Sequence, residues 1–262
     1  MHRSLRKALR TGQSHLYFLK EAKDAYYYYS RRFLSQPHER EFKALKFVPD
    51  ELPGAYLDVG ANQGQSIESI KIVKPRAQVF SFEANPLLVT KLKERYGQRA
   101  DVTINPFGLS DREQELTLFV PVYRQFVYDG EASFDKHSAE LPFSSETLFW
   151  FSPEKLELKQ FTCKLRPLDG QGLTPLFIKI DVQGYEPQVI RGGLDTIKRH
   201  EPILMIEAYH DNPEVGSLLR GLGYKPYLFD ETGFYQSDRV TEAVNSILMT
   251  SARAATVQLS KS

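Results

Sequence analysis

From residue 55 onward, short apolar runs alternate with segments of helical periodicity. Ala55–Val59, Val79–Glu83, Val102–Asn105, Leu176–Asp181 and Ile203–Glu207 are short runs rich in apolar residues, most of them apolar at neighbouring positions. Such runs suit strands buried on both faces. Between and after them, helical spacing is predicted over Ser66–Val73, stopped by Pro75, and over Leu87–Tyr96, stopped by Gly97. It returns at Glu186–His200 and at Pro213–Leu222, the latter ending at Gly223. Strands and helices in this alternation imply an α/β fold, with a mostly parallel sheet covered by helices on both faces.

Three stretches depart from that alternation. Residues 1–50 read mostly as helix and are expected to be an N-terminal extension, with the main domain at 51–262; Pro37, Pro49 and Pro53 punctuate the approach. Glu115–Val120 and Phe161–Leu165 look like strands flanking a polar, aromatic-rich segment from Tyr123 to Phe151. That is long for a loop, so residues from about 121 to 160 are expected to form an inserted lid. At the C-terminal end, Tyr224–Phe229 and Ser246–Met249 lie on either side of a Glu231-Thr232-Gly233 turn with no helix between them. They suggest an antiparallel pair closing the sheet edge.

Composition narrows the function classes. The 262 residues are 41% hydrophobic, with 17 Phe and 14 Tyr, enough for a substantial core. A net charge of +1 with intermingled signs argues against bulk attraction to nucleic acid. The single cysteine, Cys163, excludes an intrachain disulfide and fits a reducing, cytoplasmic setting; strand alternation puts it on an apolar face. Membrane spans are not expected, because no run of about 18 apolar residues exists. Arg3, Arg6, Lys7 and Arg10 lack the apolar region of a secretory signal. A solvated helix face is the plain reading of that segment, and a membrane-surface helix the alternative. Tyr26-Tyr27-Tyr28-Tyr29 cannot share one helix face, so packing is expected for some of them and exposure for others.

The informative motif is Tyr56-Leu57-Asp58-Val59-Gly60-Ala61-Asn62-Gln63-Gly64. It places Asp58 at the end of the first strand and two glycines around a turn into a helix. Gly60 would let backbone approach a ligand closely, and Gly64 would permit tight entry into the helix. The G-x-x-x-G spacing differs from the G-x-G-x-x-G that seats a pyrophosphate on a helix N-terminus. An acid here repels a diphosphate but suits an ammonium and a sulfonium. Glu83, in Phe82-Glu83-Ala84-Asn85 after the second strand, can accept both ribose hydroxyls of a nucleoside. Ser110-Asp111, after the third strand, is where adenine contacts are expected, a turn-forming role being the alternative for Asp111. The cofactor-binding set is thus Asp58, Gly60, Asn62, Gly64, Glu83, Asn85, Ser110 and Asp111, and the expected cofactor is S-adenosylmethionine.

On these residues the chain resembles the FkbM-type methyltransferases over about three-quarters of its length. Leu57–Gly64, Pro106–Asp111 and Leu168-Asp169 carry the resemblance, together with Ile178-Lys179-Ile180-Asp181-Val182-Gln183-Gly184-Tyr185-Glu186, Gly192 and Ile206-Glu207. The resemblance implies a Rossmann-like class I methyltransferase fold with a seven-stranded sheet. It also implies O-methylation of hydroxyls on sugars, glycans or secondary metabolites. The family usually has Glu where this chain has Gln183, which can donate hydrogen bonds but cannot act as a base.

Methylating a hydroxyl requires a group that removes its proton. Asp181, Glu207 and His210 fall at the ends of the fourth and fifth strands and are the candidate catalytic residues. Lys179 lies behind Asp181 on the same strand face. Some hydroxyl methyltransferases use a divalent ion, but the chain carries no compact ligand motif and no metal residue is assigned. His137 is a weaker candidate and is expected to be exposed. Tyr123, Phe126, Tyr128, Phe134, Phe149, Trp150 and Phe151 could stack on a sugar or pack within the lid. A nicotinamide-dependent oxidoreductase and a catalytically silent cofactor-binding scaffold are the competing readings. The missing G-x-G-x-x-G and the presence of Asp58 count against the first. Expected partners are a small-molecule or glycan acceptor.

Overall fold

The computed structural model describes residues 7, 8, 11, 12, 14, 34–207, 209, 212–237 and 245–260. The Tyr26–Tyr29 run and the candidate base His210 lie outside the described residues. After a 3-10 turn at Arg40–Phe47 come β1 (Ala55–Val59), α1 (Gln65–Val73), β2 (Val79–Phe82), α2 (Pro86–Tyr96) and β3 (Val102–Asn105). Next are β4 (Gly108–Leu109), β5 (Gln114–Tyr123), β6 (Phe126–Val127), α3 (Lys136–Glu140) and β7 (Leu156–Arg166). The chain continues with β8 (Pro175–Ile180), α4 (Glu186–Arg191), α5 (Leu194–His200), β9 (Ile203–Glu207) and α6 (Pro213–Gly221). It closes with β10 (Lys225–Phe229), β11 (Phe234–Gln236), β12 (Asn245–Met249) and α7 (Ser251–Ala254).

The main sheet has the order β11-β10-β12-β9-β8-β1-β2-β3. Its β3-β2-β1-β8-β9 half is parallel, and β12 runs antiparallel between β9 and β10. This is the Rossmann-like α/β class expected from the sequence, with eight strands instead of seven. The extra strand is β11, antiparallel to β10. It has only three residues, too few for a periodicity to register. The antiparallel pair expected from sequence forms as β10 with β12, and β11 lies outside it as the sheet edge. A second difference is the helix expected over Glu186–His200, which is two helices, α4 and α5. Helical periodicity runs through the break, but Gly192 lies so close to Ser110 that a Cβ there would stand 1.8 Å from the Ser110 carbonyl oxygen.

Period-two alternation divides the sheet into two apolar faces. Tyr56, Phe177, Ile203, Met205, Ile247 and Met249 pack with α1 and with Phe42, Leu45 and Phe47 of the 3-10 turn. Leu57, Ile178, Ile180, Leu204, Ile206 and Leu248 pack with Val189 and Ile190 of α4, Ile197 of α5, and Val215 and Leu219 of α6. The boundary expected at residue 50 thus follows a segment whose apolar side chains share the core of the main sheet.

The aromatic-rich insert is carried by a second sheet of order β4-β7-β5-β6. β5 and β7 pair antiparallel from Gln114↔Leu165 to Tyr123↔Leu156, so both strands extend well beyond the stretches expected from sequence. Cys163 is buried in β7. Beyond the hairpin, Tyr123, Tyr128, Phe143 and Leu148 form a small core of their own, with Phe126 and Phe151 against it. His137 and Trp150 are exposed. The described N-terminal residues reach this insert: Thr11 Oγ1 accepts from the Phe149 amide at 2.9 Å, and Lys7 Nζ lies over the Phe149 ring. Among the described residues, no helix is long and apolar enough to cross a membrane.

Candidate active site

The parallel strands β1, β2 and β8 end together, and the loops that leave them line a cavity of about 610 Å³. That volume lies within the range of small-molecule and cofactor sites. Gly60, Asn62, Glu83, Asn85, Asp181 and Gln183 line it on the strand-end side. Leu116 and Leu118 of β5, Leu165 of β7 and Phe134 of the insert line the opposite side. Of the seven insert aromatics named from sequence, Phe134 alone is among the lining residues; the others serve the insert's own packing or lie at its surface.

The first loop is built by left-handed backbone at Gly60, Asn62 and Gly64, with φ of 88°, 49° and 88°. Gly60 has a second reason to lack a side chain: a Cβ there would stand 1.9 Å from the backbone oxygen of Asp181. The close approach it permits is that of the neighbouring strand. Gly64 begins α1 behind the cavity, where a Cβ would come within 2.7 Å of the Tyr96 ring. This loop is tied to the second by Glu83, whose Oε2 accepts from the Asn62 amide at 2.8 Å. Its Oε1 accepts from the Asn85 amide, also at 2.8 Å. Burial pushes the Glu83 carboxyl up to about 7, while these amides pull it down. The Asn85 side chain caps α2 by accepting from the Leu87 amide.

Four expected cofactor residues lie behind this lining. Asp58 is fully buried; its Oδ2 accepts from Ser81 Oγ at 3.1 Å, and its Oδ1 has no partner among the described residues. Burial raises its carboxyl to about 7, against the opposing pull of Lys179 and Ser81. Gly64 is the second. Ser110 is the third, buried with its Oγ bonded to Asp111 Oδ1 and to Gln114 Nε2. Asp111 is the fourth, and its neighbours Gly108 and Leu109 reach the cavity instead. Gln114 passes the contact on to the Tyr185 hydroxyl at 3.2 Å, and Tyr185 does line the cavity.

Asp181 and Glu207 come together at the ends of β8 and β9, where one Gln183 amide nitrogen reaches both. Gln183 Nε2 stands 3.4 Å from Asp181 Oδ1 and 3.5 Å from Glu207 Oε2. Lys179, fully buried, donates to Asp181 Oδ2 at 3.3 Å and to Asn245 Oδ1 at 2.7 Å. Asn245 in turn donates to Glu39 Oε2 at 2.9 Å. Contact with Asp181, then burial and the Asp181 charge, push Glu207 up to about 8. Burial also pushes Asp181 up, but the Glu207 contact, the Lys179 ammonium and the Gln183 amide outweigh it and hold Asp181 below its ordinary value. Among the described residues no three His, Cys, Asp or Glu side chains are grouped so as to hold a metal ion.

Sequence reasoning did not single out Glu39, Asn245, Tyr185 or the apolar wall of the second sheet. Asn245 had a readable signal: counting in twos along β12 puts it on the face of Ile247 and Met249. Glu39 has none, because it comes from outside the alternating pattern.

The model of the methyltransferase FkbM domain matches residues 58–231. The chain belongs to the FkbM methyltransferase domain family. This FkbM domain is 26% identical over 165 residues to the 2-O-methyltransferase NoeI of Sinorhizobium fredii (strain NBRC 101917 / NGR234), covering 61% of this chain and 64% of that protein. It thus spans somewhat less than two thirds of that relative. A solved FkbM methyltransferase from Methylobacillus flagellatus KT aligns at 18% identity and TM-score 0.48, covering 80% of this chain and 48% of the other. A precorrin-6y C5,15-methyltransferase from Geobacter metallireducens GS-15 aligns at 15% identity and TM-score 0.38, covering 80% and 86%.

Proposed function

We propose that this chain is an S-adenosylmethionine-dependent O-methyltransferase acting on a hydroxyl of a sugar, glycan or secondary metabolite. The observation that carries the cofactor reading is the set of buried acceptors at the strand ends. Glu83 is held by the Asn62 and Asn85 amides, one at each oxygen, and neither Asp58 Oδ1 nor Asn62 Oδ1 has a partner among the described residues. Buried acceptors of this kind call for donors. Ribose hydroxyls and a cationic amino-acid end supply them; a diphosphate, which is anionic and only accepts, does not.

Gly60, Asn62, Glu83 and Asn85 would hold the cofactor directly. Asp58, Gly64, Ser110 and Asp111 would act from behind, by charge and by fixing the loops. When bound, S-adenosylmethionine supplies an electrophilic methyl group on a positively charged sulfur. Asp181, helped by Glu207 and His210, takes the proton from the acceptor hydroxyl. A hydroxyl acceptor is supported by family membership and by the relative NoeI, whose name is that of a 2-O-methyltransferase.

Titration calorimetry with S-adenosylmethionine and S-adenosylhomocysteine tests the cofactor. Saturable binding of both is expected, and a folded chain that binds neither rejects the reading. Tritium transfer from labelled cofactor to a panel of sugars and polyketide alcohols then tests the acceptor class.

A further inference from the structure

We propose that Gln183 and Lys179 are positioning residues that grip Asp181 from two sides, so that Asp181 and Glu207 act as one proton-accepting pair. This deepens, and depends on, the methyl-transfer reading above. Counting in twos along their strands puts Asp58, Ser81, Lys179, Glu207 and Asn245 on the same face of the main sheet, with Asp181 just past the end of β8. All lie near the strand ends beside the cavity. Lys179 is the only cation this group contains among the described residues, and it is fully buried. The charged groups facing the pair are Lys179 and Asp58 from within the sheet and Glu39 from the segment before the 3-10 turn. Asp58, Asp181 and Glu207 crowd one buried ammonium, and like-charge repulsion among them favours a proton held within the cluster.

Geometry decides where the negative charge sits. Asp181 has a donor at each oxygen, Gln183 at Oδ1 and Lys179 at Oδ2. Glu207 has the Gln183 amide at Oε2, at the longer distance. An amide nitrogen carries two hydrogens and can serve both carboxylates at once; a glutamate at 183 could serve neither and would add a further charge. The Gln183 backbone is left-handed, with φ of 54°, a conformation that costs a non-glycine residue energy and so needs support. That support comes from the buried Glu186, whose Oε1 accepts from the Val182 and Gly184 amides on either side of Gln183.

In the reaction, the O–H bond of the acceptor breaks and its proton passes to a carboxylate oxygen of Asp181. The acceptor oxygen uses the electron pair so freed to bond the methyl carbon, while the methyl–sulfur bond breaks and its electrons stay on the sulfur, which becomes a neutral thioether. The pair then carries two protons instead of one, and the extra proton leaves to water.

Carbon-13 NMR of the full chain, labelled at Asp and Glu carboxyls and titrated from about pH 4 to about pH 10, tests this. The resonance lost in Glu207→Gln is expected to titrate well above the usual carboxylate range, and to fall back into that range in Asp181→Asn. Gln183→Leu is expected to move its midpoint further up, because a donor to both anions is lost. Lys179→Met is expected to move it further still, and Lys179→Arg to restore it. A Glu207 resonance in the ordinary range, or one indifferent to Asp181→Asn, overturns the pairing. A midpoint unmoved in Gln183→Leu removes Gln183 from the device, and this variant decides even if Lys179→Met fails to fold. With an acceptor identified in the transfer panel, the pH profile of kcat is expected to shift with the NMR midpoint in Gln183→Leu. An unshifted profile overturns the role in proton transfer. If the chain binds no S-adenosylmethionine, the methyl-transfer reading fails while the titration still reports whether the pair exists.

Discussion

The two walls of the cavity are built on different principles. The strand-end wall is made of short loops in which backbone fit and buried charge fix every position: Gly60 against Asp181, Glu83 between two amides, and Gln183 between two carboxylates. The opposite wall comes from one long hairpin, β5 with β7, and offers apolar side chains such as Leu116, Leu118 and Leu165. On the first wall a side chain is specified by what its atoms bond; on the second, by the volume it fills. The first wall therefore tolerates few changes, and the second tolerates those that conserve volume.

The largest effect that can break this comparison is expected at Gly60. Gly60→Ala puts a Cβ into the backbone of the neighbouring strand at a φ of 88°, so the strand ends must part. A loss of about 4 kcal/mol or more is expected from urea unfolding. Leu118→Met, a volume-conserving change on the other wall, should cost less than about 1.5 kcal/mol. Comparable losses in the two variants would show that the walls do not differ in kind.

The same contrast explains what the sequence revealed. The strand-end wall was legible because turn chemistry is local: two glycines, an acid and a strand are neighbours in the chain, and so announce a site. The second sheet was half legible. β7 breaks strict alternation at Lys159-Gln160, both exposed, so only its Phe161–Leu165 end looked like a strand. Pro121 obscured the end of β5 in the same way, although it pairs with Leu158. Where the outcome depends on a remote contact, local pattern carries nothing. The break at Gly192 answers to Ser110, and the grip on Lys179 is completed by Glu39 and Asn245, which lie 206 positions apart.

A smaller effect of the opposite sign is expected at Asp58. Its folded carboxyl is raised from 3.8 to about 7, mainly by burial. The folded chain therefore holds a proton that the unfolded chain has released. The stability this contributes is complete below about pH 4 and is lost as pH rises through about 7. Glu83, raised to about 7 by burial, acts in the same direction. Asp58→Asn should make the chain more stable than wild type at about pH 8, by up to about 3 kcal/mol, with little change near pH 4. S-adenosylmethionine affinity measured by calorimetry should fall at the same time. A variant no more stable at high pH would mean that Asp58 is better solvated than its burial implies. On the apolar wall, Leu118→Ala should instead cost about 2 kcal/mol at any pH.

The smallest expected effect concerns the place where the two walls meet. Asp129, in the insert, accepts from Lys91 Nζ of α2 at 3.1 Å, and its backbone oxygen accepts from Asn85 Nδ2 at 3.4 Å. Gly130 beside it abuts Asn62; a Cβ there would stand 3.4 Å from Asn62 Nδ2. These contacts hold the insert over the loops that carry Asn62, Glu83 and Asn85, so a ligand in the cavity is enclosed from both sides. Lys91 is partly exposed while Asp129 is buried, so solvent screens only one end of the pair, which should contribute about 1 kcal/mol to stability. Its effect on ligand escape should be plainer. Lys91→Met is expected to speed S-adenosylhomocysteine dissociation several-fold in stopped flow, with the unfolding midpoint almost unmoved. Raising salt should speed release from the wild type in the same direction and change the variant less, because screening reaches the partly exposed Lys91 end of the pair. If the two proteins release ligand at the same rate at every salt concentration, the apolar wall is held by its own packing and the strand-end loops do not help to close it.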